Sequence, residues 1–274
     1  MTTIAAPGTT TRPVPADGNR ATWAIQDTLT ITWRNLLGLT RTPEAVFFST
    51  LQPIMFVLLF VYVFGGAIHI PGVPYVDYLM PGIYVQTVSF GAVSTVVGLS
   101  EDLHKGLIER FRALPMARSA VLAGRTSADL VRNVFVVFII SIVGFIVGFR
   151  VLTDFGSFLL GILLVLLWSY TLCWCFASLG LSAPNAETAQ IMVFPIIFPL
   201  TFCSSAFVPV HDMPGWLQAF ALHQPVTQIV NATRSLMVGG ALTDTSAIWQ
   251  ALAWCAGLLI VFVPLAVRKY RRVA

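Results

Sequence analysis

Residues 101–118 read EDLHKGLIERFRALPMAR. Seven of these residues are charged, in a chain that holds only 16 Lys or Arg and 12 Asp or Glu among 274 residues. Long apolar runs lie on both sides. Leu103, Leu107, Phe111 and Leu114 recur at helical spacing and form one apolar stripe, while Glu101, Lys105 and Glu109 stand four apart on another face. Acids come early and arginines late, as the helix dipole favours, and Pro115 stops the pattern. The spacing therefore predicts a short amphipathic helix over 101–114. Two uses remain open. It is an ordinary charged loop that enforces topology, or a docking helix for a partner. The Leu/Phe stripe favours docking, because a purely topological loop needs no apolar face.

Working outward, the rest of the chain is apolar. Hydrophobic residues make up 57% and charged residues 10%, against about 25% charged in soluble domains. The mean hydropathy is +0.82. Six spans are expected, at about 46–66, 78–99, 120–149, 157–180, 189–208 and 249–267. The apolar part of the third begins near residue 133, so Arg125, Asp129 and Arg132 are expected at its cytoplasmic end, with long side chains snorkelling. The apolar windows themselves contain no Asp, Glu, Lys or Arg.

Lys and Arg set the orientation. Arg12, Arg20, Arg34 and Arg41 precede the first span. Lys105, Arg110, Arg112, Arg118, Arg125 and Arg132 lie between the second and third, and Arg268, Lys269, Arg271 and Arg272 follow the last. The opposite side has only Arg150 and Arg234. This imbalance predicts cytoplasmic termini and a cytoplasmic 101–118 segment. The net charge of +4 is a topology signal and gives no reason to expect nucleic-acid binding.

Three flanking regions have their own character. Residues 1–20, rich in Thr, Pro and Gly, are expected to be a disordered cytoplasmic tail without a signal peptide. Residues 21–39 carry Ile25, Leu29, Trp33, Leu36 and Leu37 at helical spacing and are too polar to span; an interfacial helix is expected. Residues 209–248 hold two short helical stretches opened by Pro214 and Pro225 and closed by Gly239–Gly240, which suits re-entrant or interfacial helices. Cys173, Cys175, Cys203 and Cys255 all fall in apolar segments and read as unpaired packing residues.

Catalytic signatures are missing. The only lysines, Lys105 and Lys269, are followed by Gly106 and Tyr270, which rules out GxxxxGK[ST]. There is no HExxH or GxSxG, and His69, His104, His211 and His223 are scattered. No enzyme activity, metal site or bound cofactor is expected. Mild polar residues inside the spans are Gln86, Thr87, Ser89, Ser94 and Thr95, then Gln190, Thr201, Ser204 and Ser205. Each could join helices by hydrogen bonding. As a group they are candidates to line a path for a large amphipathic solute, with Gln86, Ser89, Thr95, Gln190, Thr201, Ser204 and Ser205 foremost.

TWRNLLGLTRTPEAVFF, FVYVFGGAI, YLMPGIYVQTVSF, ERFRALPMARSAVLAGR and PGWLQAFALHQPVTQIVNATRSL, in that order, resemble the permease subunit of type-2 ABC exporters of the daunorubicin-resistance kind found in actinomycetes. The resemblance covers nearly the whole chain after residue 20. It implies an all-α membrane domain over 21–274 with six transmembrane helices. It also implies an N-terminal interfacial helix, a cytoplasmic coupling helix and extracellular re-entrant helices before the last span. The coupling residues would be Glu101, Asp102, Leu103, Lys105, Leu107, Glu109, Arg110, Phe111, Arg112 and Leu114. Many relatives carry Arg-Glu then Gly-Thr in this segment; here LHKGLIERF keeps only Gly106.

The implied function is export of an amphipathic antibiotic, drug-like compound or lipid-linked product through a bacterial plasma membrane. The implied partners are two copies of an ABC ATPase subunit, which would bind ATP and Mg, and a second permease copy, identical or paralogous. The alternatives are an ion-coupled secondary carrier and an intramembrane lipid-modifying enzyme. Only Glu101, Asp102, His104 and Glu187 could serve such an enzyme.

Overall fold

The computed structural model describes residues 20–40, 43–68, 70–105 and 118–273. Every regular element among them is helical. In chain order these are α1 (Arg20–Thr40), α2 (Pro43–Leu59) with a π-helical turn at Phe60–Phe64, α3 (Tyr75–Gly91), α4 (Val93–His104) and α5 (Arg118–Val147). After them come α6 (Phe155–Gly180), α7 (Ala186–Phe202), α8 (Gly215–His223), α9 (Pro225–Met237) and α10 (Thr245–Val273).

Four stretches are long and apolar enough to cross a bilayer: Tyr75–His104, Ala120–Val147, Phe155–Gly180 and Thr245–Arg272. Ser49–Phe64 and Ala186–Phe202 are apolar but shorter. The expected fifth span, 189–208, ends instead at Phe202. Pro195 and Pro199 remove two donors from α7, the Ser204 hydroxyl donates to the Thr201 carbonyl (2.6 Å), and the chain turns over 203–208. Ser204 and Ser205 therefore sit in this turn and not in a span.

The expected second span and the expected 101–114 helix also differ from the structure. α3 and α4 run nearly end to end with a break at Ala92, and α4 carries Glu101–His104 as its last turn, capped at Lys105. Glu101 and Asp102 thus end a long helix and do not start a new one. Leu107, Glu109, Arg110, Phe111, Arg112 and Leu114 lie outside the described residues, as do residues 1–19 of the expected tail. Arg20 already belongs to α1.

Two apolar cores mark the two ends. The smaller joins α1, α4, α5, α6 and α10 through Ile31, Leu99, Leu122, Trp174, Leu181 and Tyr270. The larger is built around α3, α6 and α9, with Leu79, Ile83, Trp168 and Ile229 inside it. α1 lies against α5, where the Gly124 backbone comes so close that a Cβ there would fall 2.7 Å from the Ile31 side chain. The Thr32 hydroxyl bridges the crossing by donating to the Gly124 carbonyl (3.2 Å). Ile25, Leu29, Trp33 and Leu37 face away from the body, between 42% and 64% exposed. The stripe expected to meet a membrane surface is thus turned outward.

α8 and α9 follow the turn after α7, with Pro214 as the N-cap of α8 and Pro225 at the first turn of α9. Gly239 and Gly240 take φ of 64° and 57°, the left-handed region that glycine tolerates, and end α9 against Thr153. α9 is buried along most of its length.

Candidate functional site

A polar chain runs from the ends of the 106–117 segment into the apolar body. It starts at Asp102 in the last turn of α4, whose carboxylate is 3.4 Å from Arg125 Nη1 on α5. Arg125 Nε lies 3.7 Å from Asp129, and Arg132 Nη1 lies 3.6 Å from the same carboxylate. Ser94 and Thr95 of α4 donate to Asp129 at 3.2 and 2.6 Å. Arg132 ends the chain by donating through Nη2 to the Gly91 carbonyl at 2.6 Å. That carbonyl sits at the break between α3 and α4, so the guanidinium satisfies a backbone acceptor that the break exposes.

These side chains, expected to snorkel, turn inward and pair instead. The Asp129 side chain is 6% exposed and the Arg132 side chain 11%. An apolar run that begins near residue 133 does not show which way the charges before it turn. The signal was nonetheless present, since Arg125, Asp129 and Arg132 are spaced i, i+4 and i+7 and so share one helix face.

Above this chain is a cleft of about 120 Å³ between α2, α3, α4 and α5. Gln52, Phe56, Gln86, Thr87, Phe90 and Arg132 are among its walls. Of the expected path residues, Gln86 lines it, as do Thr87 and Ser94. The others lie elsewhere. Ser89 donates to the Val85 carbonyl (2.6 Å) and accepts from the Trp168 indole (2.9 Å). Thr95 is held by Asp129, Thr201 donates to the Ile197 carbonyl (2.8 Å), and Ser205 donates to Asn231 (2.8 Å). Gln190 is exposed on α7. The structure therefore does not gather these residues into one surface.

The opposite end is closed by Arg234 of α9, which is 3% exposed. It donates to the carbonyls of Tyr78 (3.0 Å) and Ser205 (2.8 Å) and to Asn231 Oδ1 (3.1 Å), and its guanidinium lies 3.6 Å from the Tyr78 ring centre. The Tyr78 hydroxyl donates to Ser205 O and the Tyr75 hydroxyl to Phe207 O, both at 3.2 Å. Pattern alone marked Arg234 only as an outside charge. Its neighbours come from α3 and the 203–208 turn, distant in sequence, so spacing could not reveal the clamp.

Among the four coupling residues in the described part, Glu101 and Lys105 pair at 2.7 Å on the exposed face, and this hydrogen bond raises the Lys105 pKa. Asp102 faces α5, and Leu103 packs against the smaller core.

A family model for the ABC-2 type transporter matches residues 26–238. The daunorubicin resistance ABC transporter permease protein DrrB1 of Streptomyces coeruleorubidus is 34% identical, over 99% of this chain and 98% of its own. The probable doxorubicin resistance ABC transporter permease protein DrrC of Mycobacterium tuberculosis is 27% identical over 94% and 93%. The putative transport permease ycf38 of Cyanophora paradoxa is 25% identical over 82% and 79%. Long apolar helices, a match across most of the sequence and relatives of nearly equal length agree: the chain is a multi-pass membrane protein of the ABC-2 type transporter family.

Proposed function

We propose that the chain is the permease subunit of an ATP-driven exporter that moves an amphipathic, drug-like small molecule out of a bacterial cell. The four long apolar helices together with Ser49–Phe64 and Ala186–Phe202 make six spans, with both termini in the cytoplasm. α1 lies in the inner interface, and α8 and α9 form a re-entrant pair on the outer side. Residues 101–114 dock a separate ABC ATPase subunit, present in two copies and carrying ATP and Mg. A second permease copy completes the path.

The observation that carries this reading is the unbroken chain Asp102–Arg125–Asp129–Arg132. It links the flanks of the docking segment to the helix break and the cleft. A push delivered at 106–117 reaches α4 and α5 together, because Asp102 and Arg125 tie their ends. The daunorubicin and doxorubicin resistance named in the relatives supports a drug-like cargo.

One observation favours a carrier driven by an ion gradient, namely the buried carboxylate of Asp129 on a helix long and apolar enough to cross a membrane. Asp129, however, is engaged by two guanidinium groups and two hydroxyls, which is the environment of a structural charge. The experiment is to capture the chain from native membranes and test for a co-purifying ATP-binding subunit, then repeat it with Leu107→Asp/Phe111→Asp. Retention by the original chain and loss by the variant is expected, with export abolished by ATP depletion. Export that survives ATP depletion and collapses with the proton gradient would overturn the reading in favour of a carrier.

A further inference from the structure

We propose that the C-terminal end of α10 is a binding site for the phosphate of an anionic phospholipid, whose tails lie along the same helix. The lipid is a resident of the site and not the exported molecule. The site goes beyond the export reading and rests only on its claim that α10 crosses the membrane. Arg268, Arg271 and Arg272 are exposed at the end of this helix. None of them has an ion pair or hydrogen bond among the described residues, and α10 itself contains no Asp or Glu. Lys269, which stands among them, behaves differently. It turns back to donate to the Ser178 carbonyl (3.1 Å) and to Ser182 Oγ (2.8 Å).

The arrangement of these charges calls for an anion. Arg268 and Arg272 stand four apart, so they share a helix face, and like charges at this spacing repel. The dipole at the helix C-terminus offsets part of that cost. A phosphodiester between the two offsets more, because each guanidinium presents a planar fork that matches phosphate oxygens. Arg271 adds to the positive field.

The occupant is a lipid because the face that carries the arginines is apolar before them. Val261, Leu265, Arg268 and Arg272 recur at i, i+4, i+7 and i+11 and form one stripe. Val261 is 57% exposed and Leu265 38%, with Ile260 beside them at 74%. Residues 256–267, AGLLIVFVPLAV, hold no polar side chain. From Gly257 to Arg268 the helix rises about 16 Å. That is about half of a hydrocarbon layer of about 30 Å, the depth of one leaflet. Gly257 has open space where a Cβ would stand, so the stripe stays flat to that depth. A soluble acidic partner or a free phosphate would satisfy the arginines and leave the stripe uncovered. An amphiphile with an anionic head and apolar tails covers both at once.

The test uses the full chain in detergent with phosphatidylglycerol and phosphatidylcholine added in equal amounts, and counts bound lipids by native mass spectrometry. Phosphatidylglycerol should be retained over phosphatidylcholine by about tenfold, as two arginines near an anionic headgroup imply. Arg268→Gln/Arg272→Gln should bring the ratio close to one, with an unchanged unfolding midpoint because both side chains are exposed. Arg150→Gln, at the far end of α5, should leave the preference in place. Equal retention of the two lipids by the original chain, or an unchanged preference in the double variant, overturns the proposal. Displacement of phosphatidylglycerol by inorganic phosphate overturns it too, since the site is then one for free anions. So does loss of ATPase capture by the double variant with its lipid preference intact, which makes the arginines a protein contact. The crossing of α10 is read separately in nanodiscs. Lipids brominated in mid-tail should quench a component of the emission that Trp254→Phe removes, and absence of that component overturns the crossing and the proposal with it. A failed ATPase capture by the original chain overturns the export reading and leaves the lipid result in force.

Discussion

Arg234 shows how much of this fold is decided by single side chains. Its guanidinium meets two carbonyls, one amide oxygen and a tyrosine face, yet no carboxylate among the described residues. It joins α9, α3 and the turn after α7. Replacing it by Met leaves Tyr78 O without that donor and the Ser205 carbonyl with one donor fewer. Hydrogen bonds to charged groups contribute about 1.5–3 kcal/mol each, so Arg234→Met should destabilise by about 3 kcal/mol or more. Arg234→Lys, which keeps the charge but not the fork, should recover only part of this. Thermal unfolding of both variants in nanodiscs measures the difference, and an unchanged midpoint for Met would remove the clamp from the account. Gly82 belongs to the same closure. A Cβ there would press into the Ala206 carbonyl, which explains a glycine in the middle of a buried helix.

Elements were legible where one periodic signal governed them. The exposed stripe of α1, the proline starts of α8 and α9 and the glycine stop after α9 all followed from local pattern. Boundaries were lost where tertiary contacts override composition. α4 carries charge to its tip because Asp102 has Arg125 beside it, and α7 stops early because the turn after it is held by tyrosines and Arg234. Polarity within an apolar run does not tell a side chain facing a cleft, as Gln86 does, from one bonded to its own helix, as Ser89 and Thr201 are. Two predictions belong at this scale. Asp129→Asn leaves Arg125 and Arg132 without their shared counter-charge, and breaking such a buried pair costs about 3–5 kcal/mol. Its unfolding midpoint should fall sharply, and Asp129→Leu with Arg125→Met, Arg132→Met and Asp102→Leu, which leaves no carboxylate of the chain unpaired, should regain stability while losing ATP-driven transport. The loop caps supply the second. Asp154 accepts from Ser157 hydroxyl and N–H at the start of α6, and Asp244 accepts likewise from Ser246 before α10. These bonds hold both carboxyl groups below their usual range. The stability they contribute is therefore present above the unfolded pKa of about 3.9 and is lost as pH falls through the lower folded value. The double variant Asp154→Asn/Asp244→Asn, which still caps both helices, should show a shallower decline of the unfolding midpoint between about pH 5 and 3.

At the scale of the whole molecule, most of the described positive residues and the smaller core gather at one end. α1, the tip of α4, the start of α5 and the tail of α10 meet there, with Lys269 donating to Ser178 O and Ser182 Oγ. Class was readable because apolar length is additive along a chain. Assembly with other subunits was not, since it depends on surfaces that no single sequence pairs. If α1 floats in the inner interface, Trp33, 64% exposed, sits at headgroup depth. Lipids brominated near the headgroup should then quench a component of the emission that Trp33→Phe removes, and quenching only by deeply brominated lipids would displace α1 from the surface. The break at Ala92 gives this end a mechanical property. α4 is 12 residues long, or about 18 Å from the break to its tip. Were α4 to pivot about the carbonyl that Arg132 grips, it would work as a lever. A swing of about 10° carries Lys105 by about 3 Å at that helical rise, while the fulcrum, which is also the edge of the cleft, hardly moves.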